Sequence, residues 1–205
     1  MKTKLLLILS LIILVSCYKE EYILFLGENI YVQDAIFSKE FENEYQKKIN
    51  DEFIVNQFYI KDFYLKLDEN ALNINTENHL LDLIKDSYQI ILNLGNNDLN
   101  YFIKNNKSIL SKDRELYDYY LHHCLEILTS YTNNIQVIPF YNSLMIKDEQ
   151  YQKEISLYNE IIYQNCLEFK VNYINIEKMS YFVYKENYIS FSGLKYLFKQ
   201  LNYGR

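Results

Sequence analysis

The sequence predicts one three-layer α/β domain, a five-stranded parallel sheet with helices on both faces. Three observations carry the prediction. Short apolar runs of strand length alternate, five times over, with longer stretches whose apolar residues recur every three or four positions. The first run, Tyr22-Ile-Leu-Phe-Leu26, is apolar without alternation, as in a strand buried on both faces. Finally, the 205 residues contain no internal repeat and no low-complexity linker, which suits a single domain.

The elements follow in order. Residues 22–26 form the first strand, which stops at Gly27. Residues 38–50 read as a charged helix, with Phe41, Tyr45 and Ile49 four apart and Ser38 as its N-cap. Residues 53–59 are the second strand, interrupted by Asn56-Gln57. A helix begins at Thr76 and runs to about Asp86, with His79, Leu80, Leu83 and Ile84 on one side. The third strand, 88–94, is again closed by a glycine, Gly95. Residues 111–129 form a long helix carrying Tyr117, Tyr120, Leu121, Cys124 and Leu128 on one stripe. The fourth strand, 135–138, is stopped by Pro139, which has no N–H to continue a ladder. A helix from about Asp148 to Phe169 keeps Ile155, Tyr158, Ile162, Cys166 and Phe169 in register. Residues 171–176 are the fifth strand, and Ser190 and Ser192 introduce a last helix over 194–201.

Ahead of the domain, a basic Met-Lys-Thr-Lys start is followed by Leu5 to Val15, apolar but for Ser10, and then Ser16-Cys17. This is the order of a secretory signal, and about 11 apolar residues fall short of the roughly 20 that span a bilayer. Leu14-Val15-Ser16-Cys17 resembles the lipobox of bacterial lipoproteins. The resemblance implies a signal peptide over 1–16, a diacylglyceryl-modified Cys17 as the mature N-terminus, a short anchor segment over 17–21 and the folded domain over 22–205. It places the protein in the cell envelope, lipid-anchored on the extracytoplasmic side of a membrane. Cleavage removes Lys2 and Lys4 and no acid, leaving 19 basic against 27 acidic residues, a net charge of −8. A body of that charge is not drawn to anionic lipid, so the acyl chains have to hold it there.

Composition excludes more than it assigns. With 21 Lys+Arg against 27 Asp+Glu there is no basic surface for nucleic acid. Tyr, Ile, Asn and Lys are abundant, a bias that AT-rich codons would produce without functional selection, so it carries little functional weight. Once Cys17 is acylated, Cys124 and Cys166 are the remaining thiols. They could form one disulfide, but both fall on apolar helical stripes, and two free buried thiols are the favoured reading. No phosphate-binding loop, zinc spacing or dinucleotide glycine pattern is present, and neither a cofactor nor a metal is expected.

In open α/β sheets, ligands bind beyond the carboxyl ends of the strands. The segments there are Gly27-Glu28-Asn29-Ile30, Gly95-Asn96-Asn97-Asp98, Pro139-Phe140-Tyr141-Asn142 and residues 186–193, and they hold three of the chain's four glycines. Ile90-Ile91-Leu92-Asn93-Leu94-Gly95-Asn96-Asn97-Asp98 resembles the third block of the SGNH (GDSL-type) hydrolases. Gln136-Val137-Ile138-Pro139 is similar to that family's fourth strand, and Tyr158-Asn159 through Val171-Asn172-Tyr173 to its Tyr-Asn helix and final strand. The ordered set spans most of residues 22–200 and implies a flavodoxin-like strand order. In the family a Ser after the first strand attacks an acyl carbon, and a last-block His, oriented by an Asp, takes its proton. Backbone N–H groups and the third-block Asn hold the oxyanion.

This chain departs from that pattern at its reacting positions. The family's Gly-Asp-Ser aligns with Gly27-Glu28-Asn29, placing an amide where the nucleophile would stand. The second-block region, 55–59, has no Gly, and all three histidines, His79, His122 and His123, lie at or before residue 123. Aligning Ser190-Phe191-Ser192-Gly193 with the last block puts Tyr188 at the His position and Lys185 at the Asp position. Of the polar catalytic set only Asn97 remains. Triad members act as a unit, so losing them together removes this route of proton transfer.

The expectation is a lipoprotein whose hydrolase-like domain is a pseudoenzyme, with no catalytic residue, acting as a binding or structural module. Gly27, Glu28, Asn29, Gly95, Asn97, Asp98, Asn142, Tyr188 and Ser190 would line the degenerate site, a candidate pocket for a small molecule, glycan or protein. The competing expectation is an active esterase or glycan deacetylase with a non-standard nucleophile, Ser190 or Ser192. Two further features have plain readings. Glu28 and Asp98 would stand at neighbouring strand ends, Glu28 fixing its own loop and Asp98 capping the turn that follows. His122-His123-Cys124 point about 100° apart on a helix and do not converge on an ion.

Overall fold

The structure is a computed structural model. It describes residues 22–27, 50–55, 60–72, 79–105, 107–142, 145–185 and 188–201. In chain order these form β1 (Tyr22–Gly27), β2 (Asn50–Val55), α1 (Ile60–Leu72), α2 (His79–Asp86), β3 (Ser87–Asn93) and α3 (Asn96–Lys104). Then come α4 (Ser111–Thr129), β4 (Ile135–Val137), α5 (Glu149–Phe169), β5 (Asn172–Tyr173), a 3₁₀ turn (Met179–Phe182), β6 (Val183–Lys185), β7 (Tyr188–Ile189) and α6 (Phe191–Gln200).

The five-stranded sheet has the order β2-β1-β3-β4-β5, every pair parallel. This is the flavodoxin-like arrangement, in which the chain passes to one side of β1 for β2 and then crosses to the other side for β3. Strand residues alternate between two apolar layers. Leu24, Leu26, Ile90, Leu92, Ile135 and Val137 pack with residues of α1, α2, α4 and α5. Ile23, Phe25, Ile91 and Ile138 pack with Met179, Val183, Leu197 and Leu201 on the opposite face. Burial on both faces is why the first strand reads as a solid apolar run.

Four elements agree closely with the sequence pattern. Helix α4 occupies residues 111–129 and buries Tyr117, Leu121, Cys124 and Leu128, with Leu125 added to the stripe. Helix α5 starts at Glu149 because the Asp148 carboxylate accepts the Tyr151 N–H at 3.0 Å. It ends where Lys170 turns left-handed at φ 56°. Strands β1 and β4 stop at Gly27 and shortly before Pro139.

Other elements differ for identifiable reasons. The second strand is Asn50–Val55 rather than 53–59, because its register is set by pairing Tyr22 with Asn50 and Gly27 with Val55. It is an edge strand, and polar residues such as Asn50-Asp51-Glu52 are tolerated there. Asn50 is therefore strand and not the end of the 38–50 helix, the rest of which lies outside the described residues. The fifth strand shortens to Asn172–Tyr173, limited by the three residues of its partner β4. Helix α6 begins at Phe191, earlier than 194, because Ser190 is its N-cap.

Two helices and a hairpin were not foreseen. Helix α1 buries Ile60, Phe63 and Leu67, spaced i, i+3, i+7; each such burial contributes about 1.5–3 kcal/mol. Helix α3 follows Gly95 directly. Strands β6 and β7 form an antiparallel pair outside the main sheet. Cys124 and Cys166 are both buried free thiols. No helix among the described residues is long and apolar enough to cross a membrane.

Candidate functional site at the carboxyl ends of the strands

The crevice expected to hold a ligand in this topology opens between the carboxyl ends of β1 and β3, where the winding reverses. Pairing places Gly27 beside Val55 on one side and Asn93 on the other. Glu28 and Asn29 follow Gly27 and, like Cys17, lie outside the described residues.

Gly95 stands two residues beyond β3 with φ 106°, a conformation that side chains rarely adopt. A Cβ on Gly95 would meet the Tyr117 ring, lie 2.6 Å from Phe140 Cζ and lie 2.8 Å from the Tyr117 hydroxyl. The reason is an aromatic trio packed under the turn. Ring centroids of Tyr117, Phe140 and Tyr158 lie 5.6, 5.0 and 5.3 Å apart pairwise. The Tyr117 hydroxyl also donates to the Leu94 carbonyl at 3.1 Å. Gly95 thus serves as both the left-handed corner into α3 and the point of closest approach between backbone and core.

The polar residues after Gly95 have structural partners. Asn96 is buried, and its Nδ2 lies 3.4 Å from Asn93 Oδ1. Asn97 is half-buried in the first turn of α3. Asp98 Oδ2 accepts the Ile60 N–H at 3.0 Å, so the carboxylate caps α1 rather than the turn that follows Asp98. Burial raises the Asp98 pKa to about 7, against the lowering effect of the N–H groups of Ile60 and of Asp98 itself; Asp62 adds to the rise. Burial also raises the Tyr158 phenol, with the Asp98 charge the next cause.

Asn142, Ser190 and Tyr188 have the following local partners. Asn142 closes its own loop: Oδ1 accepts the Ile146 N–H at 3.0 Å and Nδ2 donates to the Ile146 carbonyl at 2.7 Å. Its backbone N–H donates to Ser180 Oγ at 3.1 Å. Ser190 caps α6, its Oγ accepting the Gly193 N–H at 3.3 Å, and its own N–H donates to the Phe182 carbonyl at 2.8 Å. Among the described residues that hydroxyl has no imidazole or carboxylate partner. Tyr188 lies in β7, opposite Lys185.

His122 and His123 lie on α4. His122 packs on Phe169 at 4.8 Å, and its Nδ1 is 3.7 Å from the Glu168 carboxylate. His123 packs on Tyr119 at 4.4 Å and pairs with Glu126 at 2.9 Å. Cys124 is buried in the core, its thiol pKa raised by burial. No group of three His, Cys, Asp or Glu able to hold a metal occurs among the described residues.

Sequence reasoning missed Asn159 as an organiser of this end of the sheet. Its Oδ1 accepts the Phe140 N–H at 2.7 Å and its Nδ2 donates to the Phe140 carbonyl at 3.0 Å. One side chain of α5 therefore continues the β4 ladder after Pro139 has broken it. A polar residue next to Tyr158 on a buried stripe was the available signal.

Strand order, layering and the Gly95 corner together define an α/β domain of SGNH hydrolase-like fold. Solved structures share it. The acetylxylan esterase Axe2 from Geobacillus stearothermophilus superposes with a TM-score of 0.63 at 11% identity, over 91% of this chain and 97% of that one. The acetyl xylan esterase AlAXEase gives 0.62 at 13% identity, over 87% and 96%. LAE5, an α/β hydrolase enzyme from the metagenome of Lake Arreo, Spain, gives 0.62 at 8% identity, over 85% and 90%. At such identities the likeness is one of fold. No family model matches the chain, and no curated protein matches it by sequence.

Proposed function

We propose that this protein is a lipoprotein tethered by acyl chains on Cys17 to the extracytoplasmic side of a bacterial membrane. Its SGNH hydrolase-like domain acts there as a binding or structural module without hydrolase chemistry. The observation that carries the reading is the residue set at the strand ends. β1 runs into Gly27-Glu28-Asn29, with no hydroxyl at the nucleophile position, and no histidine follows residue 123. An amide cannot act as an alkoxide, and no general base of the triad type is supplied by the last block. The engagement of Asp98 as a cap on α1 and of Ser190 as a cap on α6 supports the same reading.

The test is hydrolysis of a chromogenic acetyl ester by the full chain, compared with an Asn97→Ala variant. Rates at the buffer level in both are expected; turnover that collapses in the variant would reject the pseudoenzyme. Tethering is checked by mass spectrometry of the membrane fraction. Acyl mass on Cys17 is expected, with release of the protein in Cys17→Ala.

A second reading, an esterase or glycan deacetylase with a non-standard nucleophile, draws on the esterases that share the fold. It requires Ser190 or Ser192 to find a base, and Ser190→Ala and Ser192→Ala variants decide it by the same assay.

A further inference from the structure

A concavity lies at the carboxyl ends of β4 and β5, lined in part by Asn142. It is a cleft of about 260 Å³ between the segments 139–142 and 175–180, with α5 also lining it. Phe140 lines the cleft, and its ring closes on Gly95.

The walls are held by side-chain to backbone bonds. Asn159 grips Phe140 at both ends, Asn142 grips Ile146 at both ends, and Gln152 Nε2 donates to the same Ile146 carbonyl at 2.8 Å. Across the cleft, Ser180 Oγ accepts the Asn142 N–H at 3.1 Å, and Asn175 Oδ1 accepts the Glu177 N–H at 3.1 Å. Such a rim is organised before any ligand arrives.

What these bonds leave over is open to a ligand. Among the described residues, Asn175 Nδ2, the Ser180 hydroxyl hydrogen and the Tyr173 hydroxyl remain as donors, while the Glu177 carboxylate and Gln152 Oε1 remain as acceptors. Donors and acceptors are thus mixed with the apolar lining residues Pro139, Ile155 and Ile176. No lysine or arginine lines the cleft, and its one charge is negative, so anions are disfavoured. The volume lies just below the range for drug-sized ligands, about 300–1,000 Å³, and suits a single small ring.

We propose that this cleft binds an uncharged polyhydroxylated ring of pyranose size. The C–H face of the ring lies on the apolar lining residues, and its hydroxyls, each donor and acceptor at once, reach Asn175, Ser180 and Glu177. The inference goes beyond the pseudoenzyme reading, taking from it only that the domain holds a ligand.

The experiment is saturation-transfer NMR on the full chain in a polyoxyethylene detergent, which has no sugar headgroup. The probes are glucose, N-acetylglucosamine and myo-inositol, with glucose 6-phosphate and glucosamine as charged counterparts. At least one neutral probe is expected to bind with a Kd on the order of 1 mM, and the phosphate more weakly. Asn175→Asp keeps the acceptor for the Glu177 N–H and removes the donor; Glu177→Ala removes the carboxylate acceptor. Each is expected to weaken binding about fivefold or more, the effect of losing one hydrogen bond, with thermal unfolding unchanged. Binding by no neutral probe, tighter binding of the phosphate, binding of the amine alone, or affinity indifferent to both variants would overturn the proposal. Ester hydrolysis measured in parallel bears on the pseudoenzyme reading alone, so the two ideas fail separately.

Discussion

Replacing Gly95 by alanine adds one methyl group at the point where backbone and core approach most closely. Two costs follow from the geometry. At φ 106° an L-residue is held outside its ordinary conformations, a strain of about 1–2 kcal/mol by analogy with the left-handed region. The new Cβ would also lie 2.6 Å from Phe140 Cζ and 2.8 Å from the Tyr117 hydroxyl. Relief requires moving rings that are packed against each other and against Tyr158, and overpacking of this kind typically costs about 1–3 kcal/mol. The sum, about 2–5 kcal/mol, is a large part of the roughly 5–15 kcal/mol that stabilises a domain. Urea unfolding of the full chain, followed by far-ultraviolet circular dichroism, measures it. With a slope of about 2 kcal/mol/M, the midpoint falls by about 1–2.5 M. Adding Phe140→Leu to the alanine variant should restore part of the loss, because it removes a ring contact and leaves the backbone strain. A midpoint change below about 0.25 M for Gly95→Ala would refute the reasoning.

Three other outcomes are expected. Asp98 has its pKa raised to about 7, so the folded state holds this proton more tightly than the unfolded chain. The stability this provides is full below about pH 4, declines as pH rises, and is gone above about pH 7. Asp98→Asn keeps an oxygen for the Ile60 N–H and should flatten that decline; equal slopes in urea titrations between pH 4.5 and 7 would contradict the assignment. Asn159→Ala removes both bonds to the Phe140 backbone and should cost about 1–3 kcal/mol by the same urea assay. An unchanged midpoint would show that the β4 extension does not depend on this side chain. Finally, burial raises both remaining thiols, Cys166 to about 12. In a Cys17→Ser chain neither should react with a thiol-disulfide reagent until denaturant is added, when two should appear; one fast native thiol would be inconsistent with this packing.

The helices that run across the sheet are legible because local pattern and tertiary packing demand the same residues. Helix α4 needs apolar groups at 117, 121, 124 and 128 to bury one stripe, and that spacing is visible without a partner. Helix α1 carries a comparable stripe, Ile60, Phe63 and Leu67, yet the preceding apolar stretch masks where strand stops and helix starts. Helix α3 hides for a different reason. It follows a left-handed glycine, which ordinarily ends a helix, and begins with Asn-Asn-Asp, which reads as a turn. The fate of the candidate site divides in the same way.

Read alone, the sequence determined the α/β class, the glycine corner after the third strand, and the absence of a histidine beyond residue 123. Each is a property of residue type and order, and none depends on which strand lies beside which. Only the tertiary structure decided what the polar side chains at the strand ends are for. Asp98 caps a helix 38 residues upstream, Asn159 reaches across from α5 to mend the ladder behind Pro139, and Asn142 closes its own loop on the Ile146 backbone. A hydrogen bond is directional and extends about 3 Å, so its partner is set by the folded distance and not by separation along the chain.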